Sequence, residues 1–120
     1  MKKQIMVVDD SRVMELMLSN LLEDSEFEVI GYCENGEDAI TRYEELQPDI
    51  VTMDIIMPGI DGLETAQVIL EKHPDAKIIM LSSLAYDDTI NEAHAIGAKA
   101  FLYKPVDKNL LLDALRQALA

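Results

Sequence analysis

The feature that most constrains this chain is an alternation repeated five times: a short, nearly unbroken apolar run, then a segment with apolar residues at helical spacing. The runs fall at residues 4–9, 27–32, 50–54, 77–82 and 99–103. Most lack a polar alternate, as strands covered on both faces do. The spacing predicts helices at about 11–24, 36–46, 63–73, 87–96 and 107–119. Five strand–helix pairs imply an α/β fold, a doubly wound, flavodoxin-like parallel sheet with right-handed crossovers and helices on both faces. Gly31, Gly36, Gly59, Gly62 and Gly97 fall at the junctions, and Pro48, Pro58, Pro74 and Pro105 beside strands or loops. With 120 residues and no linker or repeat, the reading is a single domain over 1–120.

Within the helices, Met14, Met17, Leu18 and Leu21 define one apolar face, with Val13 and Leu16 off it and available to a partner. Leu111, Ala114, Leu115 and Ala118 repeat the pattern in the last helix. The segment 87–96 offers only Ile90 and Ala93 inward, so it is expected to be the least firmly held helix.

Charge narrows the function. Ten Lys and Arg stand against 23 Asp and Glu, a net charge of −13. That lacks the basic footprint of a nucleic-acid binder and suits a cation site or a basic partner. Cys33 is the single cysteine, so no internal disulfide or multi-cysteine zinc site can form, and a reduced, cytoplasmic setting is expected. The first apolar run stops at Asp9, too early for a signal peptide or a membrane span.

Parallel sheets bind ligands beyond the carboxyl ends of their strands. There the first run ends in Asp9-Asp10, the third in Asp54, the fourth in Ser82-Ser83 and the fifth in Tyr103-Lys104-Pro105. The second ends in Gly31-Tyr32-Cys33 and brings little, which places it at the margin and predicts the order 2-1-3-4-5. Asp9, Asp10 and Asp54 would then gather three carboxylates that need a counter-cation. All-oxygen ligands suit Mg²⁺, with positions left open for phosphate oxygens. Lys104 adds a point charge suited to a phosphoryl group and Ser82 a hydroxyl donor. A carboxylate nucleophile beside a metal and a lysine describes phosphoryl transfer onto aspartate. Asp54, alone on the central strand, suits the acceptor, and the Asp9-Asp10 pair suits the metal.

The run Val7-Val8-Asp9-Asp10-Ser11, the run from Met53-Asp54 through Pro58 to Asp61-Gly62, Ser82, and Lys104-Pro105 together resemble the receiver domain of two-component response regulators. The likeness covers the whole chain. Because the sequence ends after the fifth helix, it looks most like stand-alone chemotaxis regulators of the CheY type. The resemblance implies that Asp54 accepts a phosphoryl group from a phosphohistidine of a sensor histidine kinase or phosphotransfer domain. It implies Mg²⁺ held by Asp10, Asp54 and the backbone carbonyl of Ile56, with Asp9 acting mainly through water. Lys104 would pair with the phosphate, and Ser82 would swing to it. Phe101 would be the aromatic switch, and the Lys104–Pro105 bond would be cis. The surface formed by the fourth helix, fifth strand and fifth helix would then change shape for a downstream target such as a flagellar motor switch. Expected besides are a monomer, no nucleic-acid or membrane partner, and no catalysis beyond its own phosphorylation and dephosphorylation. The chain departs from the common pattern at Ser83, which narrows the space beside Ser82. It departs also at Phe101, which has no hydroxyl to expose, and at Ile56, which gives an attacking water no polar help.

Competing readings are a receiver from another phosphorelay or a larger regulator, and a Mg²⁺-dependent aspartyl phosphatase or phosphotransferase. The latter usually carries a second Asp two residues on, where this chain has Ile56. A nucleotide switch is disfavoured by the lack of a phosphate-binding glycine motif. Taken singly, Asp10 or Ser11 could cap the first helix, Asp87-Asp88 the fourth, and Lys104-Pro105 could merely end a strand. Met6, Met53 and Met80 read as core filling, His73 and His94 as helix-surface residues, Glu44-Glu45 as a solvated face and Cys33 as inert.

Overall fold

A computed structural model describes residues 2–83 and 86–120. Its strands and helices alternate as β1 (Lys3–Val8), α1 (Arg12–Leu21), β2 (Phe27–Cys33), α2 (Gly36–Leu46), β3 (Ile50–Asp54), α3 (Gly62–Lys72), β4 (Ile78–Ser82), α4 (Asp87–Ala95), β5 (Ala100–Tyr103) and α5 (Lys108–Leu119). The strands are all parallel, in the order β2-β1-β3-β4-β5 expected from the strand ends.

Successive strand residues point to opposite faces, and this splits the core in two. Met6, Val8, Met53 and Met80 pack with Ala39 and Tyr43 of α2, Ala66 and Ile69 of α3 and Ala93 of α4. Ile5, Val7, Ile79 and Leu81 pack with Met14 and Leu18 of α1 and Leu111 and Leu115 of α5. The central strands β3 and β4 are buried along their whole length, which explains their unbroken apolar runs.

Four helix expectations need correction. α1 ends at Leu21 rather than near residue 24, because the chain turns there and Asp24 takes φ 64°, which no helix continues. Its buried stripe is Met14 and Leu18, continued past the helix by Leu22, whereas Met17 is 37% exposed and joins Val13 and Leu16 on the outer face. The capping residues also differ. Ser11 and Tyr86 occupy the N-cap positions of α1 and α4, and neither side chain bonds the helix. Asp87 and Asp88 lie in the first turn of α4, where their charge meets the positive end of the helix dipole. Asn35, Asp61 and Asp107 do cap, accepting from the amides of Asp38, Glu64 and Leu110 at 2.8, 2.8 and 2.9 Å. α4 buries only Ala93 fully, in keeping with its expected weakness. His73 is not a plain surface residue: it ends α3 half-buried, its ring centroid 4.9 Å from that of Tyr43. Among the described residues no helix is long and apolar enough to cross a membrane.

Candidate functional site

Register explains why distant residues meet. Val8 lies opposite Met53, so Asp9 follows β1 at the level where β3 ends in Asp54. Asp54 lies opposite Leu81, and Ser82 opposite Tyr103, so Lys104 follows one step further. The Lys104 amide donates to the Ser82 carbonyl at 2.9 Å, which carries the ladder past the end of β5. Alternation then sorts the side chains. Residues 5 and 7 of β1 and 100 and 102 of β5 face α1 and α5, and Asp9 and Lys104 continue those rows. On β3, Asp54 follows Ile50 and Thr52 on that same face. Ser82 continues the Met80 row on the opposite face, where Phe101 lies across from Met80.

The result is a compact charged cluster. Lys104 Nζ lies 2.8 Å from Asp9 Oδ2 and 3.3 Å from Asp54 Oδ1. Asp9 and Asp54 are buried, and Asp10 is exposed. The other Asp9 oxygen accepts from the Ser11 amide at 2.9 Å, so Asp9, rather than Asp10 or Ser11, binds the backbone at the start of α1. Burial pushes the Asp54 carboxyl up from 3.8 to about 6; the Asp9 carboxylate adds to the rise and Lys104 opposes it. For Lys104, burial favours the neutral amine, but the hydrogen bond to Asp9 and the charges of Asp54 and Asp9 outweigh it and raise its pKa.

Asp9, Asp10 and Asp54 each offer a carboxylate oxygen, all within 4.8 Å of one another. This all-oxygen donor set, with one exposed member, fits a hard divalent cation that retains water ligands. Ile56 follows on the loop after β3 and is 55% exposed. The Lys104–Pro105 bond is cis. Phe101 is half-buried and packs edge-on against Tyr103, with centroids 5.6 Å apart.

Gly62 has a part that its place in a glycine-containing run did not disclose. Its amide donates to the Ile55 carbonyl at 2.7 Å, and a Cβ there would collide with the Asp54 carbonyl. The loop that leaves Asp54 can fold back on β3 because this residue has no side chain. Aspartate followed by glycine at a helix start was the available signal.

The fold is a doubly wound sheet with a buried aspartate–lysine cluster at its carboxyl edge, and the sequence profile of the response regulator receiver domain matches residues 5–116. The chain belongs to that family. It is 43% identical over 115 residues to the chemotaxis protein CheY of Listeria monocytogenes, covering 96% of this chain and 97% of the relative. It is 38% identical to the chemotaxis protein CheY of Thermotoga maritima, covering 98% of each. A chain in the crystal structure of the CheX-CheY-BeF3-Mg complex from Borrelia burgdorferi superposes with a TM-score of 0.93 at 30% identity, covering 98% of this chain and 90% of that one. Receiver domains of this kind are signalling proteins of two-component systems, and the similarity to these relatives makes this one chemotaxis-like.

Proposed function

We propose that this chain is a single receiver domain whose Asp54 takes a phosphoryl group from a phosphohistidine on a sensor histidine kinase or phosphotransfer domain. The observation that carries this reading is Lys104 bridging Asp9 and Asp54 at the mouth of the three-carboxylate cluster. An Asp54 carboxylate oxygen attacks phosphorus, the P–N bond to the imidazole breaks, and the imidazole leaves with its electron pair and gains a proton. The products are an acyl phosphate on Asp54 and a neutral histidine. Asp9, Asp10, Asp54 and the Ile56 carbonyl are the groups that would hold Mg²⁺, with the buried Asp9 acting mainly through water. When bound, the ion supplies charge neutralisation for the phosphoryl oxygens. Lys104 releases Asp54 and pairs with the transferred group.

The new group adds roughly −1.5 to −2 charge in a site closed by side chains. Ser82, at the end of β4, turns its hydroxyl to a phosphoryl oxygen and vacates space on the α4 side of the sheet. Phe101, one rung back on β5 and on the same face, turns into that space. The surface of α4, β5 and α5 is thereby altered for a downstream protein, and Phe101 signals by burial alone, having no hydroxyl. The listeria and thermotoga relatives, both chemotaxis proteins, support chemotaxis as the pathway, and within that reading the downstream target is a flagellar motor switch. The chain acts as a cytoplasmic monomer and catalyses only its own phosphorylation and dephosphorylation.

Incubation with Mg²⁺ and acetyl phosphate followed by intact mass measurement tests this. The native chain gains one alkali-labile phosphoryl group and Asp54→Asn gains none. No adduct on the native chain, or repeated turnover of a phosphate ester, overturns the reading in favour of another role or of an aspartyl phosphatase.

A further inference from the structure

Two of the chain's three arginines, Arg12 and Arg42, line one cavity of about 510 Å³ between the start of α1, the end of β2 and the first turns of α2. The third, Arg116, is bonded twice to Glu26 on the far side of the fold. Arg12 is exposed but oriented: its Nε lies 3.0 Å from Glu15 and its guanidinium carbon 5.2 Å from the centre of the Tyr32 ring. Only one donor edge is used by Glu15, so the remaining guanidinium donors are available to the cavity. Arg42 makes no ion pair among the described residues. In a chain of net charge −13, this one concavity brings two arginines from separate helices together with two acids, Glu34 and Asp38.

We propose that this cavity binds a small phosphate ester that also carries hydroxyl or amino groups. A tetrahedral oxyanion can accept from two guanidiniums that approach from different helices, as a planar carboxylate cannot do equally well. The Thr41 hydroxyl on the wall adds a polar group, and Glu34 and Asp38, the latter held by the Asn35 amide at 3.1 Å, accept from the donors of the ester's organic part. The volume lies within the range of small-ligand sites, roughly 300–1,000 Å³. This site is distinct from the Asp54 cluster and stands whether or not Asp54 is phosphorylated.

The test is a ¹⁵N-resolved NMR titration of the full chain in the absence of divalent cations, with ribose 5-phosphate, ribose and inorganic phosphate as probes. Ribose 5-phosphate is expected to shift the amides of Arg12, Tyr32 and Arg42 saturably, and ribose is not. Inorganic phosphate should act at the same amides but about tenfold more weakly, the scale of one lost charge-assisted hydrogen bond. The double variant Arg12→Gln, Arg42→Gln should lose the saturable shifts, and Arg116→Gln should keep them. Shifts that survive in the double variant, that centre elsewhere, or that never saturate overturn the proposal. Inorganic phosphate binding as tightly as the ester overturns the assignment of Glu34 and Asp38.

Discussion

Replacing Asp54 with asparagine should make the metal-free protein more stable, although it removes a buried group with an ion-pair partner. The Asp54 carboxyl titrates at about 6 in the folded chain against 3.8 ordinarily. Each tenfold in proton affinity is worth about 1.4 kcal/mol, so keeping this group ionised costs the fold about 3 kcal/mol at pH 8. Between those two values the folded state still holds a proton that the unfolded chain has released. Stability therefore falls as pH rises through that window, and above pH 6 the whole penalty stands. Asparagine keeps the shape without the charge. It gives up the 3.3 Å contact to Lys104, but Lys104 retains Asp9 at 2.8 Å. The expected net gain is about 2 kcal/mol at pH 8, shrinking to less than about 1 kcal/mol at pH 4.5. Urea unfolding followed by circular dichroism, with a chelator present, measures both values. Comparing the two proteins at each pH cancels the titrating groups distant from Asp54. Adding Mg²⁺ at pH 8 should stabilise the native chain more than the variant and close the gap. A variant less stable than the native chain at pH 8 without cation, or a gap that does not depend on pH, would refute this account of the cluster.

Three further expectations follow from neighbouring residues. Lys104→Met leaves Asp9 and Asp54 without their shared cation; it should cost about 2 kcal/mol at pH 8 and drive the Asp54 carboxyl still higher, read by carboxyl-carbon NMR titration. Gly62→Ala places a methyl group against the Asp54 carbonyl and should cost at least about 1–3 kcal/mol in urea unfolding, whereas an unchanged midpoint would mean the loop yields freely. Ile56→Asn puts an amide on an exposed position two residues after the proposed acceptor and should shorten the lifetime of phosphorylated Asp54, followed by loss of the adduct mass; an equal or longer lifetime counts against a passive Ile56.

The order of the strands was legible because chemistry at the strand ends is a one-dimensional record of a two-dimensional arrangement. Four runs end in groups that can act on a phosphoryl ligand and one does not, so the silent run belongs at the margin, where β2 lies. Asp9, Asp10, Asp54 and Lys104 could be nominated for the same reason. Helix ends were less legible. Serine and aspartate beside a helical pattern suggested caps for α1 and α4, but a cap depends on where the side chain can turn. At α1 it is Asp9, two residues earlier and already held by Lys104, that takes the backbone amide. Met17 was assigned inward because helical spacing defines a stripe only to within one side chain, and the packing of β1 and α5 decides which edge of it is covered.

By itself, then, the sequence determined the architecture and the chemical character of one edge of the sheet, since hydrophobic periodicity and strand-end residues are local properties. Tertiary structure alone decided the rest. The raised Asp54 carboxyl, the lysine shared between two aspartates and the cavity between Arg12 and Arg42 come from residues far apart in the chain, and the need for no side chain at Gly62 from the way its loop folds back on β3. Desolvation and short-range contact act through space, and strand register sets those distances.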